Sequence, residues 1–157
     1  MRTRGRRVEA PPAPPAGSLH VAAVGLAVLA HGKDCFPDKP AATTLRQLGR
    51  ARDAVAGAGR RYHVYFGERL HVESAVLAGH LVWQGAIGRV VHHLGLGPHR
   101  LDVARRPAWF FEQSRHGGIL CDIGSHQVEQ LLFFTGAHDA EVVASGVANC
   151  QATLTAR

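Results

Sequence analysis

At 157 residues, the chain has enough material for one ordinary domain with its own core, which excludes a mini-protein. With 46% apolar and 19% charged residues, it is globular in composition, and no apolar run is long enough to span a bilayer. Half of the formal charge of +6 comes from Arg2, Arg4, Arg6 and Arg7 against Glu9, and no basic stripe alternates with aromatics, so a nucleic-acid partner is not expected.

Residues 1–18 are Arg-rich and then Pro/Ala-rich, a composition expected to be disordered. With the apolar run Val21 to Ala30 this start imitates a secretory signal, but four prolines separate charges from apolar residues and His20 opens the run. Cys35, Cys121 and Cys150 are odd in number and widely spaced, which argues against a disulfide framework and fits a reducing, cytoplasmic location. A buried, Ala-rich helix is predicted from Leu19 to His31, closed by Gly32. Lys33 to Phe36 is a candidate strand broken by Pro37-Asp38-Lys39-Pro40. Thr43 or Thr44 then caps a helix to about Ala58, with Leu45, Leu48, Ala51 and Val55 on one face. Arg61 to Phe66 alternates in the β manner, with Tyr62, Val64 and Phe66 on one side. Val72 to Gln84 is helical by period, and Gly85 to Gly88 turn the chain into the β-branched run Arg89 to Leu96. Pro98 to Trp109 reads as an Arg-rich loop. A helix over about Ile119 to Phe134, ended by Gly136, precedes a last candidate strand, Ala140 to Val147.

Asp122 and His126 stand four residues apart in that last helix, so they share a face. At 100° per residue, Leu120, Gly124, Val128 and Leu131, flanked by Leu132 and Ile123, form the expected buried side, and Asp122, His126 and Glu129 lie nearly opposite. A carboxylate beside an imidazole sets a base near neutral pH, although spacing alone favours an ordinary exposed pair on a solvated face. A metal site from His116, Cys121 and His126, with His92 or His93, can be drawn. Its spacing matches no recognised ligand pattern, and eleven histidines make coincidence easy, so no metal is expected. Gly57-Ala58-Gly59 and Gly95-Leu96-Gly97 lack the order strand, glycine turn, helix that a phosphate loop requires.

Four segments in order carry a resemblance. Gly32 to Pro40 ends in Asp38-Lys39-Pro40, and upstream Pro14 to His20 leads into an Ala-rich helix. Downstream come Gly85-Ala86-Ile87-Gly88-Arg89-Val90 and Gly117-Gly118-Ile119-Leu120-Cys121-Asp122-Ile123-Gly124-Ser125-His126. Together, from about residue 14 onward, they resemble the Gfo/Idh/MocA family (glucose-fructose oxidoreductase, inositol dehydrogenase, rhizopine catabolism). The resemblance implies an α/β fold, with a tail at 1–18 and the remnant of a Rossmann-type parallel sheet at 19–70. Part of an α+β, mostly antiparallel-sheet substrate domain would follow at 71–157.

It further implies hydride transfer between NAD or NADP and a sugar, cyclitol or related polyol, with Lys39, Asp122 and His126 as catalytic residues. In this reading His126 takes the hydroxyl proton and Asp122 orients its ring, while His20, Asp38, Lys39 and Pro40 contact the cofactor. Trp109 and Phe110 would line the cleft. The family's first βαβ unit, with its Gly-x-Gly-x-x-Gly turn, has no counterpart before Lys39. The chain therefore resembles the middle of such an enzyme, and impaired cofactor binding is expected. The alternative is a non-catalytic interaction module that forms a homo-oligomer through the C-terminal sheet.

Overall fold

The computed structural model describes residues 19–148; the tail at 1–18 and Cys150 lie outside them. In chain order come α1 (Leu19–Ala30), α2 (Leu45–Ala58), α3 (Gly67–Leu70) and α4 (Glu73–Trp83). Short 3₁₀ turns at Val103–Arg105 and Ala108–Phe111 lead to α5 (Gln113–His116), a π turn at Leu120–Gly124, and α6 (Ser125–Thr135).

The helix ends follow local chemistry. Thr44 is the N-cap of α2: its Oγ1 accepts from Gln47 N at 3.2 Å, and Gln47 Oε1 accepts from Thr44 N at 3.2 Å. This reciprocal box satisfies donors that a helix start otherwise leaves open. At the other end Gly59 is left-handed, and its N–H donates to Val55 O, as a C-terminal glycine should. α1 packs on α2, burying Ala22, Leu29 and Ala51. Full burial of Leu29 contributes roughly 2 kcal/mol. Tyr62 leans on the same helix, since a Cβ at Gly25 would lie 2.6 Å from its ring. A second cluster forms where α3 and α4 brace α6.

The α/β expectation is overturned. Among the described residues there is no strand, neither a remnant parallel sheet nor an antiparallel one in the C-terminal part, so no sheet is available there for homo-oligomerisation. The first two candidate strands do run side by side and parallel, but only as isolated bridges, Cys35 with Tyr62 and Asp38 with Tyr65. Cys35 N donates to Arg61 O at 2.9 Å, His63 N to Cys35 O at 3.0 Å, and Tyr65 N to Pro37 O at 2.8 Å. Pro37 and Pro40 have no N–H to donate, so the ladder cannot extend. The runs Arg89 to Leu96 and Ala140 to Val147 meet no partner strand among the described residues. A strand has no hydrogen bonds of its own to fall back on, and Val91, Val142 and Val143 remain exposed.

Candidate functional site

Lys39 lies in the loop between the bridged segment and α2, with the Lys39–Pro40 peptide cis. Its ammonium reaches 83 residues along the chain, donating to Asp122 Oδ1 at 2.6 Å and to the Asp122 main-chain oxygen at 2.7 Å. The two side chains are 16% and 13% exposed, so this charge-assisted pair is largely withdrawn from water. Asp122 sits inside the π turn, a local widening of the helix that recurs at functional sites. There its carbonyl takes two side-chain donors, Lys39 Nζ and, at 3.3 Å, Ser125 Oγ.

What brings the π turn to the Lys39 loop is the glycine pair before it. Gly117 and Gly118 have φ of +81° and +84°, a region costly for any residue with a side chain. A Cβ on Gly117 would also stand 2.7 Å from Thr43 Cγ2, so glycine allows the two loops to touch.

On the other side of the carboxylate is His116, at the end of α5. Its Nε2 lies 3.3 Å from Asp122 Oδ2 but is off-line for a hydrogen bond and has no partner. Its ring rests on Phe110, centroids 4.2 Å apart. Burial alone would push the Asp122 carboxyl up, yet the hydrogen bond and charge of Lys39, followed by the proximity of His116, outweigh it and hold the carboxyl below its ordinary value. Asp122 is therefore a carboxylate at neutral pH.

His126 is buried, 5% exposed, with its ring edge-on to Phe66 at 5.9 Å. Nε2 lies 3.9 Å from Glu68 Oε1, and Nδ1 is buried with no hydrogen bond. Burial holds its pKa below the usual histidine value. The Glu68 charge opposes this, Lys39 and His99 reinforce it, and Asp122 opposes it at longer range. The ring is thus neutral near pH 7 and able to accept a proton. Glu68 also receives His99 Nε2 at 3.0 Å and a hydrogen bond from Gln127 Nε2 at 3.4 Å.

Among the described residues no hydrogen bond or ion pair joins Asp122 to His126; the carboxylate reaches Lys39 and His116 instead. The expected faces of the helix are only partly kept. Ile123 is buried as expected, but His126 from the opposite side is buried too, whereas Leu120 and Val128 are 52% and 54% exposed. Two causes act together. The π turn breaks the 100° count between Leu120 and Gly124, and α3 supplies partners for the polar side, Glu68 for His126 and Gln127, Arg69 for Glu129.

The other expected site residues are scattered. Asp38 is exposed, and its Oδ1 accepts from Lys39 N at 2.8 Å. Pro40 lines the large apolar groove beside Lys39, and His20 stands in the first turn of α1. Phe110, but not Trp109, lines a pocket that also contains Asp122 and His116. Among the described residues no three His, Cys, Asp or Glu side chains could hold a metal ion. Sequence reasoning did not find Glu68, nor the pairing of His116 with Asp122. The only signal for the latter was the Gly117-Gly118 turn that folds α5 back toward the π turn.

Residues 76–153 match the model of a family described as the GFO/IDH/MocA C-terminal domain. Among solved structures, a candidate oxidoreductase from Erwinia carotovora atroseptica is 52% identical, with a TM-score of 0.70 over 73% of this chain and 34% of that one. An NAD binding oxidoreductase from Klebsiella pneumoniae is 25% identical, with a TM-score of 0.66 over 77% of this chain and 33% of that one. A candidate oxidoreductase from Thermotoga maritima, at 23% identity and a TM-score of 0.60 over 73% and 35%, shares the fold. No curated protein matches. The chain belongs to the GFO/IDH/MocA family. It spans about a third of the length of the solved structures it matches.

Among the described residues, the start of α2 does not fit the phosphates of a dinucleotide. Pyrophosphate binding needs free N–H groups at a helix start, reached through a glycine turn. The start of α2 is closed by its own capping box, with Thr43 N also donating to Gln47 Oε1 at 2.8 Å. Among the described residues no glycine turn joins a strand to a helix.

Proposed function

We propose that this chain carries the substrate-side acid/base residues of an NAD(P)-dependent oxidoreductase acting on a sugar, cyclitol or related polyol. In this reading residues 19–70 and 71–157 are the cofactor-side and substrate-side portions, and dinucleotide binding by the chain alone is impaired. The observation that carries the proposal is the buried pairing of Lys39 with Asp122 beside a neutral, buried His126. Hydride leaves a carbinol carbon only when its O–H proton is taken as well, so a base and a nearby cation are both required. His126 is the proton acceptor. Lys39 stabilises the oxygen that loses the proton, and Asp122 fixes the ammonium in place.

The test has two parts. Saturation-transfer NMR should show polyol binding by the wild type that Lys39→Ala weakens about tenfold. Calorimetric titration with NAD(H) and NADP(H) should show no micromolar affinity, and a micromolar constant would overturn the impaired-binding part. Any slow polyol oxidation at saturating dinucleotide should fall at least about a hundredfold in His126→Ala. Polyol binding unchanged in Lys39→Ala would remove the site assignment itself.

A second reading, a non-catalytic association module, is favoured by the groove of about 790 Å³ between α2 and α6. Leu45, Leu48 and Val128 are exposed there. Light scattering that gives a stable monomer mass across concentration would count against it.

A further inference from the structure

The pocket of about 380 Å³ on the far side of Asp122 is separate from the apolar groove. Its size is that of a small-molecule site. Asp122 and His116 mark one part of its lining, Leu101 and Phe110 supply apolar wall, and Arg100 and Arg106 also line it. The charge balance is uneven. The Asp122 carboxylate is already matched by Lys39, whereas neither Arg100 nor Arg106 has a carboxylate partner among the described residues. Arg105 lies between them in sequence, does not line the pocket, and is paired with Asp102 at 3.9 Å.

Arg106 is also held in place. Its Nε donates to the Leu101 main-chain oxygen at 3.3 Å, and its Cζ lies 4.3 Å from the centroid of the Phe110 ring. Stacking and a backbone bond fix the plane of the guanidinium while its terminal nitrogens have no protein partner. A planar cation held this way recognises carboxylate or phosphate oxygens through two parallel hydrogen bonds. His116, whose Nε2 stands 3.3 Å from Asp122 Oδ2, lines the same pocket.

We infer that this pocket takes an anionic polyol, a sugar acid or a sugar phosphate, with its anionic group on Arg100 and Arg106 and its hydroxyl end toward His116 and Asp122. The inference rests on the oxidoreductase reading above and narrows its substrate class; Asp122 is the residue of that site that lines this pocket, and Lys39 and His126 lie behind it.

Calorimetric titrations at fixed ionic strength would compare gluconate and glucose 6-phosphate with neutral glucose and myo-inositol. At least one anionic probe should bind about tenfold or more tightly than the neutral ones, and which one binds distinguishes carboxylate from phosphate. Arg100→Ala and Arg106→Ala should each weaken that probe about tenfold, and Arg105→Ala should change it less than about twofold. Arg106→Lys keeps the charge without the fork, should retain part of the affinity, and substitutes for the alanine variant if the loss of stacking on Phe110 prevents folding.

Equal binding of neutral and anionic probes, or an equal loss in Arg105→Ala, would overturn the inference. Neutral polyols bound in a Lys39-dependent way would leave the oxidoreductase reading standing without the anion preference. Anion binding that depends on Arg106 but not on Lys39 or Asp122 would keep the anion site and remove the reading beneath it.

Discussion

The charged knot at Lys39 and the groove beside it share one side chain, yet they treat water in opposite ways. In the knot, Lys39, Asp122 and His116 hold one another, and all three, with His126 beside Glu68, are largely withdrawn from solvent. In the groove, Leu45 is 86% exposed, and Leu48, Leu120 and Val128 are exposed as well. Along the groove the rule that apolar residues go inside is locally reversed, because polar groups of α6 find partners on α3 whereas Val128 on its groove side stays exposed. Side-chain character alone does not decide the buried face. Availability of partners does.

If that contrast is right, substitutions in the knot should cost far more than substitutions in the groove. Lys39→Ala leaves the Asp122 carboxylate buried without its cation and should cost about 3 kcal/mol in a denaturant melt. Lys39→Met with Asp122→Leu should recover a good part of that loss, and a double variant as unstable as the sum of the singles would show that the pair is not coupled. Gly117→Ala combines a left-handed backbone with an overlap against Thr43 and should cost about 2 kcal/mol.

A smaller effect should appear as pH dependence. His126 is held below its unfolded value of 6.5 by burial, so the unfolded chain takes up the proton first as pH falls. Its contribution is complete above pH 6.5 and declines as pH drops from 6.5 toward the folded value. The Asp122 contribution is present above its unfolded value of 3.8 and is lost as pH falls through the lower folded value. His126→Gln should flatten the upper window and leave the acidic one unchanged, as followed by melting temperature against pH. The smallest change is expected in the groove, where Leu45→Gln and Leu48→Gln should shift stability by less than about 0.5 kcal/mol. A cost comparable to Lys39→Ala would mean that something covers this face in solution.

The positions of helices were legible in the sequence because their ends carry local chemistry. Thr44 and Gly136 mark boundaries that the structure reproduces within a residue or two. Tyr62, Val64 and Phe66, expected on one side, do line the groove together. The sheet was not legible in the same way. A strand depends on a neighbour, and prolines at 37 and 40 confine the first pairing to single rungs. At the site, the order of the motifs pointed to Lys39 and Asp122, which the fold brings together across 83 residues. The rotation of His126 away from Asp122 was hidden because angular counting assumes a regular helix, and the π turn violates that assumption. Glu68 carries no motif and could be found only in three dimensions.

The 83-residue span between Lys39 and Asp122 also bears on folding kinetics. Closing a loop of that length costs chain entropy before any contact repays it, so the bridge is formed late, after α2 and α6 have found their places. Interactions absent from the transition state act on the escape from the native state. Lys39→Ala should therefore accelerate unfolding while leaving the refolding rate nearly unchanged, which makes this ion pair a brake on opening and not a seed of the fold.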